Sequence, residues 1–447
     1  MEMAIQAEKT DLARRIGLFD ATMIVMGGII GAGIFMNPHV VALQIHTPFL
    51  ILLVWVIGGL VALAGSFIHG ELAARMPNVG GQYAYLRDAI HPLPAFLYGW
   101  ALLLVIQSGA MAAIALTFSR YFIELTNFPF ADWTIAVTIL AFLALVNCLG
   151  VRAGSTLQSI LMVLKIGSIT ALILCGFLFA SPAPKQPSSD AAMSFDLLTA
   201  IGAAMIPVLF AYGGWQTATF IAGEMKNPRK NLPIGLLIGV AGVIALYLGV
   251  NFVCVRALGP SGLAQTTTPA SNVMRLALGE AGANFIAAGI AISTLGFLSQ
   301  SILTAPRVYF SMAKDGAFFQ KVAQIHPRTQ VPVFAIALQG IIAIVIALSG
   351  KYEQILNYVV STDFLFFGLT GLCVFVFRKQ EKESRSPIDI FLRVPGHPIT
   401  TLFFIAVSWV VVLITWFKYP KDSLIGLALL LAGIPVYFYW KKYGRNR

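Results

Sequence analysis

The stretch GGIIGAGIF, residues 27–35, lies inside the first long apolar run of the chain and contains Gly27, Gly28, Gly31 and Gly33. Glycine destabilises a helix interior by roughly 1 kcal/mol per residue relative to alanine. A run that is otherwise suited to a long helix therefore contains a site at which helix is disfavoured. The glycines predict an interrupted helix. The reason for the interruption must be sought in the rest of the sequence.

Composition places this interrupted helix in a membrane. The chain has 447 residues, of which 58% are hydrophobic and 11% charged, against about 25% charged in an ordinary soluble domain. A membrane-spanning helix needs about 20 mainly apolar residues. We predict an all-α polytopic membrane protein with twelve transmembrane helices, at residues 18–44, 50–74, 93–123, 131–149, 157–180, 196–222, 232–256, 283–311, 332–349, 357–377, 399–417 and 422–440.

The charge of the chain follows its predicted topology. The formal net charge is +11, and with a cytoplasmic N-terminus most basic residues fall in cytoplasmic segments, among them Arg14, Lys441 and Lys442. Such a bias orients a membrane protein, so we expect membrane lipid and no nucleic acid as surroundings. We predict a multi-pass protein of the cytoplasmic (inner) membrane with both termini in the cytoplasm.

The cysteines argue against a covalent partner. All four lie in, or at the inner ends of, predicted spans, where free buried thiols are the default; they are Cys148, Cys175, Cys254 and Cys373. We therefore expect no disulfide-linked heavy-chain partner.

A second apolar run is interrupted in the same way as the first. LFAYGGWQTATF, residues 209–220, carries adjacent Gly213 and Gly214 in the sixth predicted span. Two broken helices five spans apart predict an inverted repeat, and paired breaks of this kind point to a transporter binding site. We predict a single transporter domain, residues 1–447, with helices 1–5 (18–180) and 6–10 (196–377) as the repeats and helices 11–12 (399–440) appended.

An unwound helix leaves backbone N–H groups at the start of its second half and carbonyl groups at the end of its first half. These groups suit the carboxylate and the ammonium of an α-amino acid. The predicted carboxylate contacts are the N–H groups of Ala32, Gly33 and Ile34, reached past Gly31. The predicted ammonium acceptors are the carbonyls of Gly28, Ile29, Phe210 and Gly213, with the Phe210 ring as a lid and with Tyr212 and Gly214 in the same site. The alternative is that the Gly-x-x-x-Gly spacing marks close helix packing.

Four stretches carry a resemblance to a known family: GGIIGAGIFMNP (27–38), ELAARMPNVGGQYAYLRDA (71–89), FAYGGWQTATFIAGEMKNPRKNLP (210–233) and LTAPRVYFSMAKDG (303–316). With them the chain resembles the amino acid–polyamine–organocation superfamily over residues 12–445, and most resembles a bacterial member of its L-type amino acid transporters. The resemblance implies a ten-helix inverted-repeat core like that of the bacterial leucine transporter, alternating access and amino-acid substrates. It also implies the same backbone contacts.

Two ionisable residues lie within predicted spans. Lys165 is about eight residues into the fifth span, too deep for its ammonium to reach the interface readily. The resemblance implies that a lysine here bonds carbonyls of the broken first helix, where sodium sits in related transporters. Asp363 in the tenth span is either a coupling group or a solvated residue near its outer third. We name both as mechanistic candidates.

The substrate is less sharply defined. Neither an acidic nor an arginine side chain lies at mid-depth in spans 1, 3, 6 or 8, which favours a neutral amino acid. We predict Na⁺-independent exchange of small or medium neutral L-amino acids, without cofactor, metal or enzymatic activity. A proton-coupled symporter, a cationic amino acid or polyamine carrier and an amino-acid-gated channel are the alternatives. The side chains of Gln107, Ser108, Ser293 and Thr294 are candidate contacts of the substrate side chain.

Overall fold

A computed structural model describes residues 16–77, 80–148, 155–184, 195–326, 331–349, 351–384 and 390–443. Within these ranges the regular structure is helical, and an isolated bridge joins Ile16 to Met225. The α-helices are α1 (Leu18–Ile29), α2 (Gly33–Gln44), α3 (Pro48–Arg75), α4 (Gln82–Ala89), α5 (Pro92–Ala101), α6 (Gln107–Thr126), α7 (Asp132–Cys148), α8 (Ser155–Leu178), α9 (Phe195–Tyr212), α10 (Thr217–Phe220), α11 (Pro228–Gln265), α12 (Pro269–Thr304), α13 (Pro306–Lys314), α14 (Val333–Ser349), α15 (Tyr352–Ser384), α16 (Ile399–Lys418) and α17 (Pro420–Tyr443). A π-helical turn, Leu102–Ile106, joins α5 to α6, and short 3-10 helices cover Ala222–Glu224 and Gln320–Ala323.

The described helices include eight stretches that are long and apolar enough to cross a membrane: Leu18–Gln44, Pro48–Arg75, Pro92–Thr126, Pro228–Gln265, Pro269–Lys314, Tyr352–Ser384, Ile399–Lys418 and Pro420–Lys442. Four shorter apolar helices accompany them: Asp132–Cys148, Met162–Leu178, Asp196–Tyr212 and Val333–Leu348. Each of the twelve predicted segments coincides in position with one of these helices. The chain is an all-helical membrane-spanning protein, and the number of twelve crossings stays a prediction.

Several predicted spans were too short. The seventh was expected to end at residue 256, but α11 runs over Pro228–Gln265, with a break at Gly259 where φ is 66°. The tenth was expected over 357–377, whereas α15 covers Tyr352–Ser384. The physical reason is that hydropathy detects only the apolar part of a helix, while its polar ends continue beyond the hydrocarbon.

Burial separates central from peripheral helices. The first and third spans, Leu18–Gln44 and Pro92–Thr126, are 72% and 89% buried by protein over their most apolar part, against 39% for Ile399–Lys418 and 28% for Pro420–Lys442. The last two helices therefore expose most of their apolar surface on the outside of the bundle, where lipid would cover it. The interrupted first helix lies at the centre of the protein.

Both glycine stretches interrupt their helices. The first helix stops at Ile29 and resumes at Gly33, and the second stops at Tyr212 and resumes at Thr217. Helix α1 packs on α11, and α2 packs on α9. The two interruptions consequently face each other.

The loop after the second span closes over the end of the second broken helix. Gly80 and Gly81 have φ of 110° and 47°, a region that glycine enters without steric penalty. A Cβ at Gly81 would collide with Thr219 of α10. From the following helix α4, the Tyr83 hydroxyl donates to Asp315 Oδ2 at 2.8 Å. The glycines thus allow α4 to lie against α10 and the end of α13.

Candidate functional site

The first break leaves three backbone donors in a row. In the interruption, Ile30 N–H donates to the Met26 carbonyl at 2.8 Å and Gly31 N–H to the Ile29 carbonyl at 2.7 Å. The next three N–H groups have no acceptor among the described residues; they belong to Ala32, Gly33 and Ile34. They lie at the N-terminus of α2, the helix end whose free N–H groups attract an anion.

The glycines of the first break allow the second broken helix to approach. A Cβ on Gly33 would lie 2.7 Å from Ala211 Cα, and a Cβ on Gly28 would lie 2.9 Å from the Gly214 carbonyl oxygen. Gly214 itself has φ of 105° and lies against the Gly28 carbonyl. These glycines therefore pack closely and also border the free N–H groups, so the packing and binding interpretations apply to the same residues.

The second break holds its own backbone in tight turns. Gly213 N–H donates to the Phe210 carbonyl at 3.1 Å, and the Thr217 hydroxyl donates to the Gly214 carbonyl at 2.7 Å. The side-chain oxygen of Gln216 accepts from Gly214 N–H at 3.0 Å. The carbonyls of Gly28 and Gly213 have no donor among the described residues, which leaves them available to an ammonium.

Tyr247 on α11 was not foreseen from the sequence. Its hydroxyl lies 3.0 Å from the Ile29 carbonyl oxygen and 3.2 Å from the Ala211 carbonyl oxygen. It therefore bridges the ends of α1 and α9, the first halves of both broken helices. The available signal was a tyrosine inside the apolar run IALYLGV, 244–250, since a buried tyrosine hydroxyl usually has a partner.

Tyr247 also changes the expectation for Ile29. The Ile29 carbonyl accepts from Gly31 N–H, and the Tyr247 hydroxyl lies within hydrogen-bonding distance of it as well as of the Ala211 carbonyl. A carbonyl oxygen has two lone pairs, so while the single Tyr247 proton is donated to Ile29 no lone pair is left for a substrate ammonium. Ile29 would have to exchange a partner before it could bind one.

Phe210 and Tyr212 differ in burial and in their neighbours. Phe210 and the two glycines that follow, Gly213 and Gly214, are partly exposed within an otherwise buried stretch. The Tyr212 ring is 1% exposed, with its centre 5.8 Å from that of Trp55 and 5.1 Å from that of Tyr247. Tyr212 therefore packs in an aromatic cluster with residues of α3 and α11, and the lid role of Phe210 stays a prediction.

Lys165 on α8 reaches the first break. Its side-chain nitrogen donates to the carbonyl of Ile30. Ile30 directly follows the last residue of α1. The residue is 4% exposed, so the ammonium is enclosed by protein. This contact ties the fifth predicted span to the interruption.

Asp363 is buried, not solvated. The residue is 8% exposed, and its Oδ1 has no partner among the described residues. Its Oδ2 lies 3.5 Å from the side-chain nitrogen of Gln216, whose oxygen accepts from Gly214 N–H. The solvated alternative is therefore wrong, because α15 packs against α9. Gln216 links this carboxyl to the second break.

Side chains join α2 and α9, one half of each broken helix. Asn37 of α2 donates from its amide nitrogen to the Pro207 carbonyl of α9 at 2.6 Å. Its amide oxygen accepts from the Tyr352 hydroxyl of α15 at 2.9 Å. The Tyr121 hydroxyl of α6 donates to the Phe35 carbonyl at 3.0 Å. Helix α2 is thus fixed to three neighbouring elements.

The polar candidates on α6 and α12 have different surroundings. Ser108 and Thr294 hydroxyls donate to carbonyls of their own helices, Leu103 and Ile290 respectively. The Ser293 hydroxyl is buried without a partner among the described residues. Ser293 lies one helical turn before Phe297, whose ring is 3.4 Å from the position of a Cβ on Gly31. Residues at i and i+4 share a helix face, so Ser293 faces the side of the first break.

The chain is similar over its whole length to known amino acid transporters. It is 29% identical over 446 residues to the serine/threonine exchanger SteT of Bacillus subtilis, covering 98% of this chain and 99% of that protein. It is 31% identical over 448 residues to the human large neutral amino acids transporter small subunit 2, covering 96% and 81%. It is 28% identical over 451 residues to the human b(0,+)-type amino acid transporter 1, covering 99% and 91%.

A family model settles the classification. The model of the amino acid permease family matches residues 16–434, a range that includes both breaks, Lys165 and Asp363. Members of this family are transporters and not enzymes. The chain belongs to the amino acid permease family, within the amino acid–polyamine–organocation superfamily.

Proposed function

We propose that this protein exchanges small or medium neutral L-amino acids across the cytoplasmic membrane by alternating access, without sodium. The observation that supports it most directly is the row of free N–H groups at Ala32, Gly33 and Ile34 beside the donor-free carbonyls of Gly28 and Gly213. A carboxylate and an ammonium on one carbon complement these two sets of backbone groups. The proposed site therefore recognises the α-amino-acid head, whatever the side chain.

The proposed side-chain pocket is small and mostly apolar. A Cβ on Gly31 would lie 3.4 Å from the Phe297 ring and 3.5 Å from the terminal methyl group of Ile114. The unpartnered hydroxyl of Ser293 lies on the same helix face as Phe297. A neutral side chain carrying at most a hydroxyl suits this lining. The name of the similar serine/threonine exchanger agrees with a substrate of this kind.

Lys165 is the proposed substitute for sodium. Its ammonium donates to the Ile30 carbonyl and so neutralises part of the negative end of α1. The Lys165 ammonium therefore supplies a positive charge at the first break, so that no sodium ion from solution is needed there. Obligatory exchange fits a fixed lysine charge, because the transport cycle then needs neither a bound sodium ion nor a sodium gradient.

The proposed architecture is the inverted repeat. Residues 18–180 and 196–377 form the two five-helix repeats, residues 399–440 add two peripheral helices, and both termini are cytoplasmic. The central burial of the first span and the peripheral place of α16 and α17 support this division. Movement of α1 and α10, the inner halves of the broken helices, would open the site inwards.

The test is uptake into proteoliposomes. Purified protein is reconstituted with unlabelled L-serine, L-leucine or buffer inside, and uptake of the same labelled amino acids is measured with and without Na⁺. We expect saturable uptake that needs internal amino acid and does not change when choline replaces Na⁺. Absence of saturable uptake with every amino acid tried would overturn the proposal, and a strict Na⁺ requirement would overturn its sodium-free form.

Proton symport is the second candidate, and Asp363 favours it. A buried carboxyl with a free Oδ1 and a Gln216 link to the second break is placed to couple proton binding to the helix interruption. In the same vesicles, uptake driven by an inward pH gradient with no internal amino acid would favour symport. Asp363→Asn should then abolish the gradient effect, whereas an exchanger should show none to abolish.

A further inference from the structure

A second cavity lies away from the broken helices. It is an open surface cavity with a volume of about 450 Å³, bordered by the end of α6, the start of α7 and the segment that begins α12. Protein sites for small molecules usually occupy roughly 300–1,000 Å³. On the proposed topology this cavity opens to the outside. The polar residues that line it and matter here are Arg120, Glu124, Asp132, Thr268, Asn272 and Arg275.

Arg275 has a structural role in this cavity. Its guanidinium nitrogens bind Glu280 Oε1 at 2.7 Å, Asn272 Oδ1 at 2.5 Å and Glu124 Oε1 at 3.2 Å. Every nitrogen of the group therefore has a partner. Arg275 holds the first turns of α12 against the end of α6.

Arg120 and Glu124 are only partly satisfied. Arg120 Nε lies 3.5 Å from Asp132 Oδ2, but Arg120 Nη1 is buried with no partner in the described part of the chain. Glu124 Oε2 is buried with no partner there either. The two residues are four apart on α6, and so lie on one face of the helix. The Arg120 guanidinium and the Glu124 carboxylate thus lie side by side, and each has one atom without a hydrogen-bond partner among the described residues.

We propose that this cavity is a second, external binding site for the zwitterionic head of an α-amino acid. With the two side chains turned toward the cavity, the carboxylate accepts from Arg120 Nη1 and the ammonium donates to Glu124 Oε2. An anion alone would leave Glu124 unpaired, and a cation alone would leave Arg120 unpaired. A purely structural cluster of ion pairs would leave both atoms unpaired, and a buried donor or acceptor without a partner destabilises the fold. The inference rests on the proposed function, since it assigns the same substrate class.

Contacts connect the external site to the broken helices. The guanidinium carbon of Arg120 lies 5.7 Å from the centre of the Tyr352 ring, within the range of a cation–π contact. The Tyr352 hydroxyl binds Asn37 of α2, which binds the Pro207 carbonyl of α9. These contacts join the external site to the outer halves of both broken helices.

Binding stoichiometry tests the proposal. Equilibrium dialysis of the detergent-purified full chain with labelled L-serine and, separately, L-leucine should give two equivalents per chain for the accepted amino acid. Arg120→Gln and Glu124→Gln should each lose the weaker equivalent and keep the tighter one. Lys421→Gln and Asp196→Asn remove exposed charges on the same proposed side, and both should keep two.

The possible outcomes separate the two proposals. Wild-type protein that binds neither amino acid would contradict the proposed function itself. One equivalent in the wild type, or two that Arg120→Gln and Glu124→Gln leave in place, would overturn the external site alone. Loss of all binding in both variants, with monodisperse protein by size exclusion, would assign these residues to the central site and also overturn it. Displacement of the weaker equivalent by acetate or methylamine as effectively as by amino acid would exclude zwitterion recognition.

Transport from the two sides gives an independent measurement. In vesicles of defined orientation, Glu124→Gln should raise the external KM by about tenfold, the effect of losing one charge-assisted hydrogen bond. The internal KM should stay unchanged. Equal changes on both sides would contradict an external site.

Discussion

Lys165 is the proposed substitute for a sodium ion at the first break. Its ammonium, enclosed by protein, donates to the Ile30 carbonyl at the end of α1. The contact joins a side chain of α8 to the backbone of the first break. Removing the ammonium leaves that carbonyl without its charged partner.

We expect Lys165→Ala to lower the exchange rate at least about tenfold, because a hydrogen bond from a charged group contributes about 1.5–3 kcal/mol. Ser168→Ala, on the same helix, removes a hydroxyl that bonds only within α8 and should leave the rate unchanged. The measurement is exchange in proteoliposomes at equal protein content. Wild-type rates for Lys165→Ala would refute the role given to the lysine.

Tyr247 provides a second single-atom test. Its hydroxyl lies between the carbonyls of Ile29 and Ala211, so Tyr247→Phe should destabilise the protein by about 1 kcal/mol and alter the exchange rate. The matched control is Tyr98→Phe, since the Tyr98 hydroxyl is buried with no partner among the described residues and its removal should cost nothing. Thermal unfolding in detergent compares the two. Equal Tm values for both variants would contradict the bridge.

The two interruptions act together because glycine lets them touch. Gly33 approaches Ala211, and Gly28 approaches Gly214, so each break lies against an end of the other helix. Larger residues would separate the helices and move the free N–H and carbonyl groups apart. Close packing therefore brings the backbone groups of the two helices together at the proposed site.

Gly214→Ala tests this contact. A non-glycine residue at φ near 105° costs roughly 1–3 kcal/mol, and the new Cβ would collide with the Gly28 carbonyl. We expect a lower Tm and loss of substrate binding by equilibrium dialysis. Gly167→Ala on α8 is the control, because a Cβ there has nothing within 4 Å and should raise helix stability slightly. Retained binding in Gly214→Ala would show that the close approach is dispensable.

On the cytoplasmic side of the proposed topology, a buried charge cluster joins parts of the chain that are distant in sequence. Glu71 and Arg75 pair at 2.9 Å, and Glu71 also binds Arg378 of α15 at 2.6 Å and Val394 N–H at 2.7 Å. Glu381 joins Arg75 to Arg393. The cluster links α3, α15 and the segment before α16.

Glu71→Gln should lower the Tm markedly, since removing one partner of a buried ion pair costs about 3–5 kcal/mol. Glu383→Gln serves as the control because its pair with Lys379 is largely exposed, at 66% and 78%, and exposed pairs contribute about 0–1 kcal/mol. Detergent thermostability by size exclusion compares them. Similar loss in both variants would show that burial of the cluster is unimportant.

The sequence by itself determined the membrane class, the helical architecture and the places of both interruptions. Apolar runs near the length of a bilayer and glycine-rich stretches are local properties, which a single chain displays without its neighbours. The limits of the helices were less certain, since the polar ends of α11 and α15 have no hydropathy signal.

Only the tertiary structure decided which groups meet. Tyr247 as a bridge, Tyr212 as part of an aromatic cluster, the burial of Asp363 and the cavity beside Arg120 all depend on helices that are distant in sequence. The physical reason is that a side chain's partner across a helix bundle follows from packing and not from spacing along its own helix. Local propensity can therefore show where a helix breaks, and packing determines what the freed groups face.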